Sequence, residues 1–494
     1  MKTCKYDAVV LGGGAGLIAA VRLRQLTGKR ILVLEKAKVT GGGFQFARTM
    51  RVFKSQWQAD RGLEDKTAEF MRGVMDLSLW RVDPELAHAA IEGTGQFFDW
   101  FCTLEPGIEQ EFEVGSYLFD LPDGQKAPAH ESNGDGAGRV FMAVMKKKCA
   151  ELGVDVLTST PFYDVETEDG RVSAVLAHGP EGKMRIECRN IIIASGRWIC
   201  SRDIVQRVIP RFNEVYMRPG AQMNPAYTGD AFAAAEKLGA KIDYDSCCLR
   251  LMGPHFSSRS RVANQAAGSD FAIGVNLLGR RFVSEPMVPR MDFFDTGHVL
   301  LDQPKGVSYW VFDRNTLAAA MERAKDPAAA PPLPLLPPEY PATLAEAEAE
   351  ICSALGEPEL FTAGTAAELA RAIGVDEAGF VRTIEEYNEY CRTGMDWTGY
   401  KDQKNLVPMT GPFYAVRGWL DTDGSFGGLD VNSRMQVLSP SGEPVPGVWA
   451  AGDITGSRYI VAAEIKKQIL NDLSWAFSSA FLAANDAARA LKEE

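Results

Sequence analysis

Apolar positions near the N-terminus follow the order of a strand, a helix and a second strand. Residues 6–13 (YDAVVLGG) contain a short apolar run, and residues 16–26 (GLIAAVRLRQL) carry apolar side chains at helical spacing. Gly28 stands where the C-cap of that helix belongs. Residues 30–36 (RILVLEK) form a second apolar run, which is typical of a parallel strand covered on both faces. The pattern predicts a βαβ unit.

The same pattern of strands and helices continues through the first half of the chain. Segments with helical spacing and strand-like apolar runs follow one another in turn. An Asp-Gly pair marks a tight turn between two segments in which apolar and polar residues alternate. Helices are predicted within residues 65–102 and at 138–153, and strands at 154–160, at 164–178 with a hairpin turn at Asp169 and Gly170, and at 189–196. Strands that alternate with helices indicate an α/β fold built on a parallel sheet.

The pattern changes at about Cys247, where the segments become mixed and irregular. Residues 326–340 are dense in proline and read as an extended linker or surface loop. Two helices follow at 365–375 and 376–394, strand character returns at 434–456, and a last helix is predicted from about residue 463 to 491. We therefore predict a first domain over 1–246 and 409–494, interrupted by a second over 247–408.

Composition narrows the functional classes. A chain of 494 residues is long enough for two or three cores, and its net charge of −12 argues against nucleic acid as a partner. The nine cysteines include no CxxC spacing, which favours a reduced, cytoplasmic chain over a disulfide framework or zinc site. The histidines are scattered and suggest neither a metal site nor a catalytic triad. No run of about 18 apolar residues exists, so no membrane span is expected.

A glycine-rich turn joins the first strand to the first helix. Such glycines let the backbone turn tightly and approach the pyrophosphate of a dinucleotide, which then sits at the positive N-terminus of the helix. Gly12, Gly14 and Gly16 supply this pattern, and Glu35 ends the second strand 23 positions after Gly12. A carboxylate there can accept hydrogen bonds from ribose hydroxyls. Glycine-rich turns also serve packing, so the turn alone leaves both interpretations open.

The glycine spacing departs from the usual fingerprint at one position. A regular GxGxxG that starts at Gly12 requires glycine at position 17, where this chain has Leu17. The loop is one residue short, and we expect Gly16 to take the role of the third glycine.

Segments along nearly the whole chain resemble the fumarate reductase/succinate dehydrogenase flavoprotein superfamily, in the branch that includes 3-ketosteroid dehydrogenases and urocanate reductases. In that family's ATGGF strand end, Ser195 here replaces Thr and Arg197 replaces the second Gly. The similar segments, in chain order, are VLEKAKVTGGGFQFA (33–47), IIIASGRW (191–198), NPAYTGDAFAAAEKLGA (224–240), TIEEYNEYCRTGMDWTGYKD (383–402) and PVPGVWAAGDITG (444–456).

The resemblance implies a Rossmann-type FAD-binding domain with a parallel sheet, interrupted by an α+β capping domain. It implies FAD rather than NAD as the tightly held cofactor, and Asp453 as the residue that binds the ribityl chain. We expect the attachment to be non-covalent, because no histidine lies near residues 41–43. The residues placed at FAD are Gly12, Gly14, Ala15, Gly16, Glu35, Lys36, Gly42, Gly43, Ser195, Gly196, Asp230, Gly452 and Asp453.

Residues 279–294 (GRRFVSEPMVPRMDFF) resemble the cap motif GxRFxNE…R, in which the later arginine donates a proton to the substrate carbon. The resemblance places that role on Arg290, with Arg281 and Glu285 as the structural arginine and carboxylate. The interval from Glu285 to Arg290 is one residue longer than usual. The alternative is an arginine that is simply solvated on the cap. A guanidinium, with a pKa above about 12, donates a proton only when it is desolvated and relayed.

Three further residues are candidates for catalysis. Arg458 and Tyr459 follow Gly456 directly, so they should lie beside the flavin ring, and Tyr459 could act as an acid. Packing is an equal alternative for that tyrosine. His255 lies near the place of a family histidine but is displaced by a few positions, and a structural role is the commoner one for a lone histidine.

The cationic anchors of fumarate reductases are missing. Where that family has HHTMGG this chain has Asp423, Gly424 and Ser425, and Glu464 stands near the place of the family's second anchor, an arginine. A dicarboxylate would meet carboxylates where it needs cations, so fumarate is not expected as the substrate. Trp419, Phe426 and Tyr459 around the expected pocket favour a larger, neutral or aromatic substrate.

We therefore expect an FAD-dependent reductase that adds hydride and a proton to an activated C=C bond of a small organic molecule. The external electron donor, whether a reduced nicotinamide, a flavin or a redox protein, is left open. The alternatives are desaturation of a ketosteroid-like ring, reductive loss of a benzylic hydroxyl as in tetrahydrodaidzein reductases, and a flavin electron-transfer subunit without its own substrate.

Overall fold

The computed structural model describes residues 1–47, 49–77, 80, 83–115, 129–132, 137–211, 225–287, 296–326, 340–455 and 472–493. These residues divide into two compact units. The first contains residues 1–210, 225–249 and 424–493, and the second contains residue 211 and residues 250–423. The predicted end of the cap at residue 408 therefore falls inside the second unit, because one long strand, Phe413–Phe426, pairs mainly with strands of that unit.

The described residues contain strands and helices throughout both units. The strands are β1 (Lys2–Lys5), β2 (Ala8–Leu11), β3 (Ile31–Leu34), β4 (Thr49–Arg51), β5 (Phe112–Gly115), β6 (Ala129–Ser132), β7 (Asp155–Leu157), β8 (Phe162–Glu168), β9 (Arg171–Gly179), β10 (Gly182–Glu187), β11 (Ile191–Ile193), β12 (Cys248–His255), β13 (Ile273–Asn276), β14 (Ser308–Asp313), β15 (Leu360–Ala363), β16 (Phe413–Phe426), β17 (Gln436–Leu438) and β18 (Pro444–Ala450).

The helices follow the same order along the chain. They are α1 (Gly16–Thr27), α2 (Gln56–Asp60), α3 (Thr67–Leu77), α4 (Pro84–Cys102), α5 (Ala137–Leu152), α6 (Arg202–Val208), α7 (Asp230–Lys237), α8 (Arg261–Ala267), α9 (Thr296–Leu301), α10 (Arg314–Arg323), α11 (Leu344–Ser353), α12 (Ala366–Ile373), α13 (Glu377–Thr393) and α14 (Asp472–Glu493). None of these described helices combines the length and apolar character needed to cross a membrane.

A six-stranded sheet forms the centre of the first unit, in the order β17-β18-β11-β2-β3-β7. The five strands from β18 to β7 are parallel, and β17 pairs antiparallel with β18. Residues of β2 and β3 are fully buried, which explains their continuous apolar sequence. The α/β fold with a parallel sheet that the sequence predicts is confirmed.

Two smaller sheets and a helical layer complete the first unit. The sheet β1-β10-β9-β8 contains the predicted hairpin, whose turn residues Asp169 and Gly170 both have positive φ, at 51° and 73°. The sheet β4-β6-β5 was not predicted from the sequence. Helix α14 packs against α1 and α4, and the rings of Phe97, Phe141 and Phe477 meet beneath it. Gly28 ends α1 in the left-handed region, as the sequence predicts.

The second unit is built on an antiparallel sheet in the order β12-β16-β14-β13, with β15 also paired to β16. One apolar core contains residues of β13 and β14 together with α12 and α13, and a second contains residues of α8 and α11. The predicted helical pair corresponds to α12 and α13, each of which ends at a left-handed glycine. Of the predicted proline-rich loop at residues 326–340, residues 327–339 lie outside the described residues.

Candidate functional site

An open cleft lies at the carboxyl ends of the parallel strands of the first unit. Open parallel sheets bind ligands at this edge, outside the strand ends. The cleft contains about 850 Å³ of space free of protein atoms. The side chains and backbone that border it come from the loops after β2, β3, β11 and β18 and from the start of α7; they include Gly12, Gly13, Gly14, Glu35, Lys36, Gly42, Gly43, Phe44, Ser195, Gly196, Arg197, Tyr227, Gly229, Asp230 and Asp453.

The backbone at Gly12 crosses close to the neighbouring strand β11. Gly12 has a φ of +113°, and a Cβ there would lie 2.2 Å from the carbonyl oxygen of Ala194. A Cβ at Gly16 would lie 2.8 Å from Cγ1 of Val10 on β2. Glycine is therefore needed at Gly12 for both conformation and space, and at Gly16 for close packing of the helix on the strand. Leu17, where the usual fingerprint has glycine, is buried in the core instead.

Ala15 is the N-cap of α1, and the residues just before it, Gly12, Gly13 and Gly14, border the cleft. The first amides of a helix have no partner within the helix, and the helix dipole favours an anion beside them. The second glycine loop is joined to the first, because the amide of Gly41 donates to the carbonyl of Gly13 at 2.9 Å. Together the two loops form one glycine-rich wall of the cleft, which Phe44 also borders.

Two backbone amides hold the carboxylate of Glu35 in a fixed orientation at the cleft. Its Oε2 accepts a hydrogen bond from the amide of Gly13 at 2.8 Å, and its Oε1 accepts one from the amide of Ala37 at 2.6 Å. A carboxylate has about four lone-pair sites, so two donors leave further sites for a ligand. The carboxylate is therefore oriented and still able to accept hydrogen bonds from hydroxyl groups.

Lys36 and Asp230 form an ion pair at the rim of the cleft. The Lys36 Nζ lies 2.7 Å from Oδ2 of Asp230 and also contacts Oγ1 of Thr228. Asp230 begins α7 directly after Gly229, whose φ of +65° turns the chain into the helix. Both charged side chains are about one third exposed, so this pair remains in contact with solvent.

Tyr227 is a cleft residue that the sequence analysis missed, although the segment that contains it was singled out. Its ring is buried, the amide of Gly43 donates to its hydroxyl, and burial raises the pKa of the phenol. A Cβ at Gly43 would lie 2.9 Å from that hydroxyl oxygen. Tyr227 therefore holds the second glycine loop in place, with Gly42 beside it in a left-handed conformation.

A buried ion pair lies where β11 and β18 end. The Arg197 Nε donates to Oδ2 of Asp453 at 2.7 Å, and the two side chains are only 8% and 3% exposed. Gly196, with a φ of +73°, turns the chain after Ser195 so that Arg197 reaches Asp453. From the sequence, Arg197 is recognised only as a replacement for glycine, and the one signal for this pair is a charged residue directly after an apolar strand.

The end of β16 forms the surroundings of Arg197. A Cβ at Gly424 would lie 2.8 Å from the guanidinium carbon, and that carbon lies 5.2 Å from the ring centroid of Phe426. Ser425 accepts a hydrogen bond from the amide of Trp198 at 2.7 Å, which ties the strand end to the loop after β11. The predicted pocket residue Phe426 therefore packs on Arg197.

The residues of the cleft fit FAD, the cofactor that the resemblance implies. The Oγ of Ser195 borders the cleft and is a buried oxygen with no hydrogen-bond partner among the described residues. Buried polar atoms are almost always satisfied, so an acceptor or donor from a ligand is expected there. The oriented carboxylate of Glu35 and the glycine wall suit a ribose and a pyrophosphate respectively.

In the second unit, a cluster of four charged residues is buried next to the start of the segment that leads to Arg290. We call Arg281, Glu285, Asp396 and Lys401 the charged cluster. Arg281 makes bidentate contacts to Glu285 at 2.9 and 2.6 Å and to Asp396 at 2.8 and 2.9 Å. The predicted structural pair of Arg281 and Glu285 is thus in contact, whereas Asp396 and Lys401 were not anticipated.

The ionisation of the charged cluster follows from burial and pairing. Burial lowers the pKa of Arg281, but Glu285 and Asp396 outweigh this and raise it above its ordinary value. Burial raises the pKa of Asp396, but the hydrogen bonds from Arg281 outweigh this and lower it to about 2. Burial lowers the pKa of Lys401 to about 8, against the attraction of Glu285, whose Oε2 is 3.7 Å from Nζ. Arg281 and Lys401 therefore remain cations beside the ionised carboxylate of Asp396 at neutral pH.

His255, a candidate catalytic residue, ends β12 in the second unit. Its Nδ1 lies 3.8 Å from Oδ2 of the buried Asp421, which is beyond hydrogen-bond distance, and the imidazole is about half exposed. The other candidates, Arg290, Arg458 and Tyr459, lie outside the described residues, as does Glu464. Trp419, a predicted pocket residue, donates from Nε1 to Glu359 at 2.6 Å and stacks under Arg417.

Comparison with known proteins gives one family match over most of the chain. The family model described as FAD binding domain matches residues 7–464. That range contains every residue that we placed at the cofactor and every catalytic candidate.

Two relatives of known activity cover nearly the whole chain. The chain is 26% identical over 471 residues to the vinyl phenol reductase of Lactiplantibacillus plantarum, a match that covers 92% of this chain and 91% of the relative. It is 24% identical over 475 residues to the urocanate reductase of Eggerthella lenta, covering 92% of this chain and 71% of the relative. Both relatives are named as reductases.

A solved structure gives the same result for the fold. The crystal structure of 3-ketosteroid Δ1-dehydrogenase from Sterolibacterium denitrificans superposes with a TM-score of 0.68 and 18% sequence identity, over 98% of this chain and 100% of that chain. At this level of identity the likeness concerns the architecture alone.

Proposed function

The chain belongs to the FAD binding domain family and is an FAD-dependent oxidoreductase, and we propose that it reduces an activated C=C bond of a bulky, neutral or aromatic substrate. The relative that acts on vinyl phenols supports the aromatic substrate class, because the match extends over almost the full length of both chains. An alkene conjugated to a phenol or a carbonyl group is the substrate chemistry that we propose.

The observation that carries the substrate class is the pairing of charges in the cleft. Lys36 and Arg197 are the cations among the described residues that border it, and each is already held by a carboxylate, Asp230 or Asp453. Among the described residues of the cleft, a dicarboxylate substrate would therefore have to break one of these pairs to reach a cation, and this costs binding free energy. A neutral substrate needs no such cation.

The residues of the cleft account for how the cofactor would be held. Glu35 would accept hydrogen bonds from the ribose, the amides at the start of α1 would face the pyrophosphate, and Ser195 would hydrogen-bond the cofactor at the end of β11. We propose that the attachment is non-covalent. When bound, FAD supplies a hydride acceptor and donor, and the protein supplies orientation and a proton.

We propose Arg290 or Tyr459 as the source of that proton. The cap motif that precedes Arg290 is anchored by the contacts of Arg281 with Glu285, so the segment begins at a fixed point of the second unit. Tyr459 has the chemistry of an acid without the high pKa of a guanidinium. Arg458 and His255 are the further residues that we propose for catalysis.

The proposal is tested by mixing the reduced protein anaerobically with candidate substrates and following the flavin absorbance. A vinyl phenol or enone is expected to reoxidise the flavin rapidly, whereas fumarate is not. The mass of the product, measured by mass spectrometry, should exceed that of the substrate by two hydrogen atoms. Arg290→Ala and Tyr459→Phe should each be compared with wild type, and loss of reoxidation in one of them identifies the acid.

Other outcomes would contradict the proposal in distinct ways. Rapid reoxidation by fumarate would refute the inference from the paired cations. Bleaching of the oxidised protein by a saturated ketosteroid, with no alkene accepted, would establish the dehydrogenase direction. Reoxidation only by a redox protein would indicate an electron-transfer subunit. Full activity in both variants would show that neither residue donates the proton.

A further inference from the structure

Arg197 stands out because it is a buried cation that borders the cleft and is held from two sides. Its side chain is 8% exposed, its Nε donates to Asp453, and its guanidinium carbon lies over the ring of Phe426 at 5.2 Å. A guanidinium has three nitrogens in a rigid plane, so a partner on one side and a ring on another fix its orientation. The cation is therefore in a defined place rather than mobile in solvent.

Gly424 is the position that makes room for this guanidinium. A Cβ at Gly424 would lie 2.8 Å from Cζ, 2.8 Å from Nη1 and 3.1 Å from Nε of Arg197. Real Cβ atoms are not found that close, so any other residue at position 424 would displace the guanidinium. Arg197 and Gly424 are 227 positions apart in the chain, yet the absence of a side chain at Gly424 leaves the space that the guanidinium of Arg197 occupies. The space that a side chain on β16 would take is filled by a cation from the loop after β11.

We propose that Arg197 is the fixed cation that stabilises the negative charge which the cofactor gains on reduction. This inference rests on the proposed place of FAD in the cleft. When bound, FAD would supply two-electron chemistry in which uptake of two electrons and one proton adds one negative charge, and Arg197 would offset that charge. A preorganised cation in a site that excludes water stabilises such a charge more than water would.

Asp453 sets the size of the expected effect, since its carboxylate offsets part of the field of Arg197. Removal of the arginine alone leaves a buried carboxylate without this partner, and that carboxylate would repel the reduced cofactor. Arg197→Ala should therefore bind reduced FAD at least tenfold more weakly relative to oxidised FAD. A tenfold change corresponds to about 30 mV for a two-electron couple, so the midpoint potential should fall by about that amount or more.

The experiment measures the FAD midpoint potential and the dissociation constant of oxidised FAD in Arg197→Ala and Lys36→Gln. Lys36 is the matched control, because among the described residues that border the cleft it is the second cation paired with a carboxylate. Lys36→Gln should weaken oxidised and reduced FAD equally and leave the potential unchanged. Arg197→Lys, which retains the charge, should keep most of the wild-type potential. It keeps the inference testable if the alanine variant does not fold.

Two double variants separate a direct effect from a structural one. If Arg197→Ala/Asp453→Asn has the wild-type potential, Arg197 serves only to neutralise Asp453 and the proposal is wrong; a potential that stays low supports it. Gly424→Ala should lower the potential in the wild-type background and have no further effect beside Arg197→Ala, because the displaced group is then absent. An unchanged potential in Arg197→Ala overturns the inference. Unchanged FAD affinity in both Lys36→Gln and Gly12→Ala would instead overturn the place of FAD in the cleft.

Discussion

The cleft of the first unit and the charged cluster of the second contain the same kinds of residues in opposite circumstances. In the cleft, Lys36 and Asp230 are about one third exposed, and open space lies beside them. In the charged cluster, the side chains of Arg281 and Asp396 are 4% and 0% exposed, and Arg281 uses its guanidinium nitrogens on two carboxylates. One set of charges borders space for a ligand, whereas the other is sealed in a core.

The difference shows that buried charge alone does not mark a binding site. Both regions contain buried charges, contrary to the usual exposure of charged side chains, yet the charged cluster satisfies its groups with protein partners. The cleft leaves an oxygen of Ser195 without a partner among the described residues and presents a wall of glycines beside it. A binding site is therefore recognised by polar groups that lack a protein partner, and a structural cluster by polar groups that all have one.

The largest expected effect comes from opening the charged cluster. Arg281→Ala would leave the carboxylates of Glu285 and Asp396 buried without their main partner, and the free energy of unfolding should fall by about 3–5 kcal/mol. Chemical denaturation followed by circular dichroism measures this change. The second unit should be the part that unfolds earlier.

An exposed arginine with the same type of partner provides the control. Arg392 contacts Glu389 on the same helix, but both side chains are mostly exposed and screened by solvent. Arg392→Ala should leave the unfolding curve unchanged. A loss of stability in both variants, or in neither, would show that burial does not distinguish these pairs.

A second effect concerns the pH dependence of stability, through Lys401. The folded protein holds this amine with a pKa of about 8, while an unfolded chain holds it near 10.4. Between these values the unfolded chain binds more protons, so the contribution of Lys401 to stability rises with pH. From pH 7 to 9.5 the free energy of unfolding of the wild type should gain about 2 kcal/mol relative to Lys401→Met, at roughly 1.4 kcal/mol per pH unit above pH 8.

The comparison with Lys401→Met removes the titration of other groups, because thiols and phenols ionise in both proteins. Tyr387, whose ring lies 5.3 Å from Nζ, is the neighbour that both proteins share. A difference in stability that stays constant across this pH range would mean that the amine is not desolvated as its complete burial implies. The cluster would then resemble the cleft in its access to water.

Much of the frame that positions the cleft could be predicted from local patterns. The βαβ unit, the left-handed cap at Gly28 and the hairpin turn at Asp169 each depend on residues that are neighbours in sequence. The placement of Glu35 beside the glycine loop follows from the adjacency of β2 and β3, which a parallel unit imposes.

The pairs that complete the two regions could not be predicted, because their members are far apart in sequence. Arg197 and Asp453 are separated by 256 positions, and Arg281 and Asp396 by 115. No local pattern states which buried cation meets which carboxylate, since that is decided by how β11, β18 and β16 are arranged in sheets. The assignment of FAD to the glycine loop and the catalytic roles of Arg290, Arg458, Tyr459 and His255 stay predictions.

The smallest effect tests whether the cleft is shaped for a ligand or only for the fold. It compares two glycines of positive φ, Gly12 in the loop before α1 and Gly28 at its C-cap. At Gly12 a Cβ would meet the carbonyl of Ala194 at 2.2 Å, whereas at Gly28 it would meet nothing within 4 Å. Gly12→Ala should weaken FAD binding at least tenfold, about 1.4 kcal/mol, because the loop must move away from the strand ends.

Gly28→Ala also places an alanine at positive φ, here +67°, but without a clash, so it should cost about 1 kcal/mol of stability and leave FAD binding unchanged. Titration of the apoprotein with FAD and thermal unfolding of the same samples measure the two effects separately. Equal loss of FAD in both variants would show that helix stability, not the shape of the loop, controls the cofactor. Full FAD affinity in Gly12→Ala would mean that the glycine serves packing, which is the alternative that the sequence left open. The glycine loop would then be a structural feature and not part of a binding site.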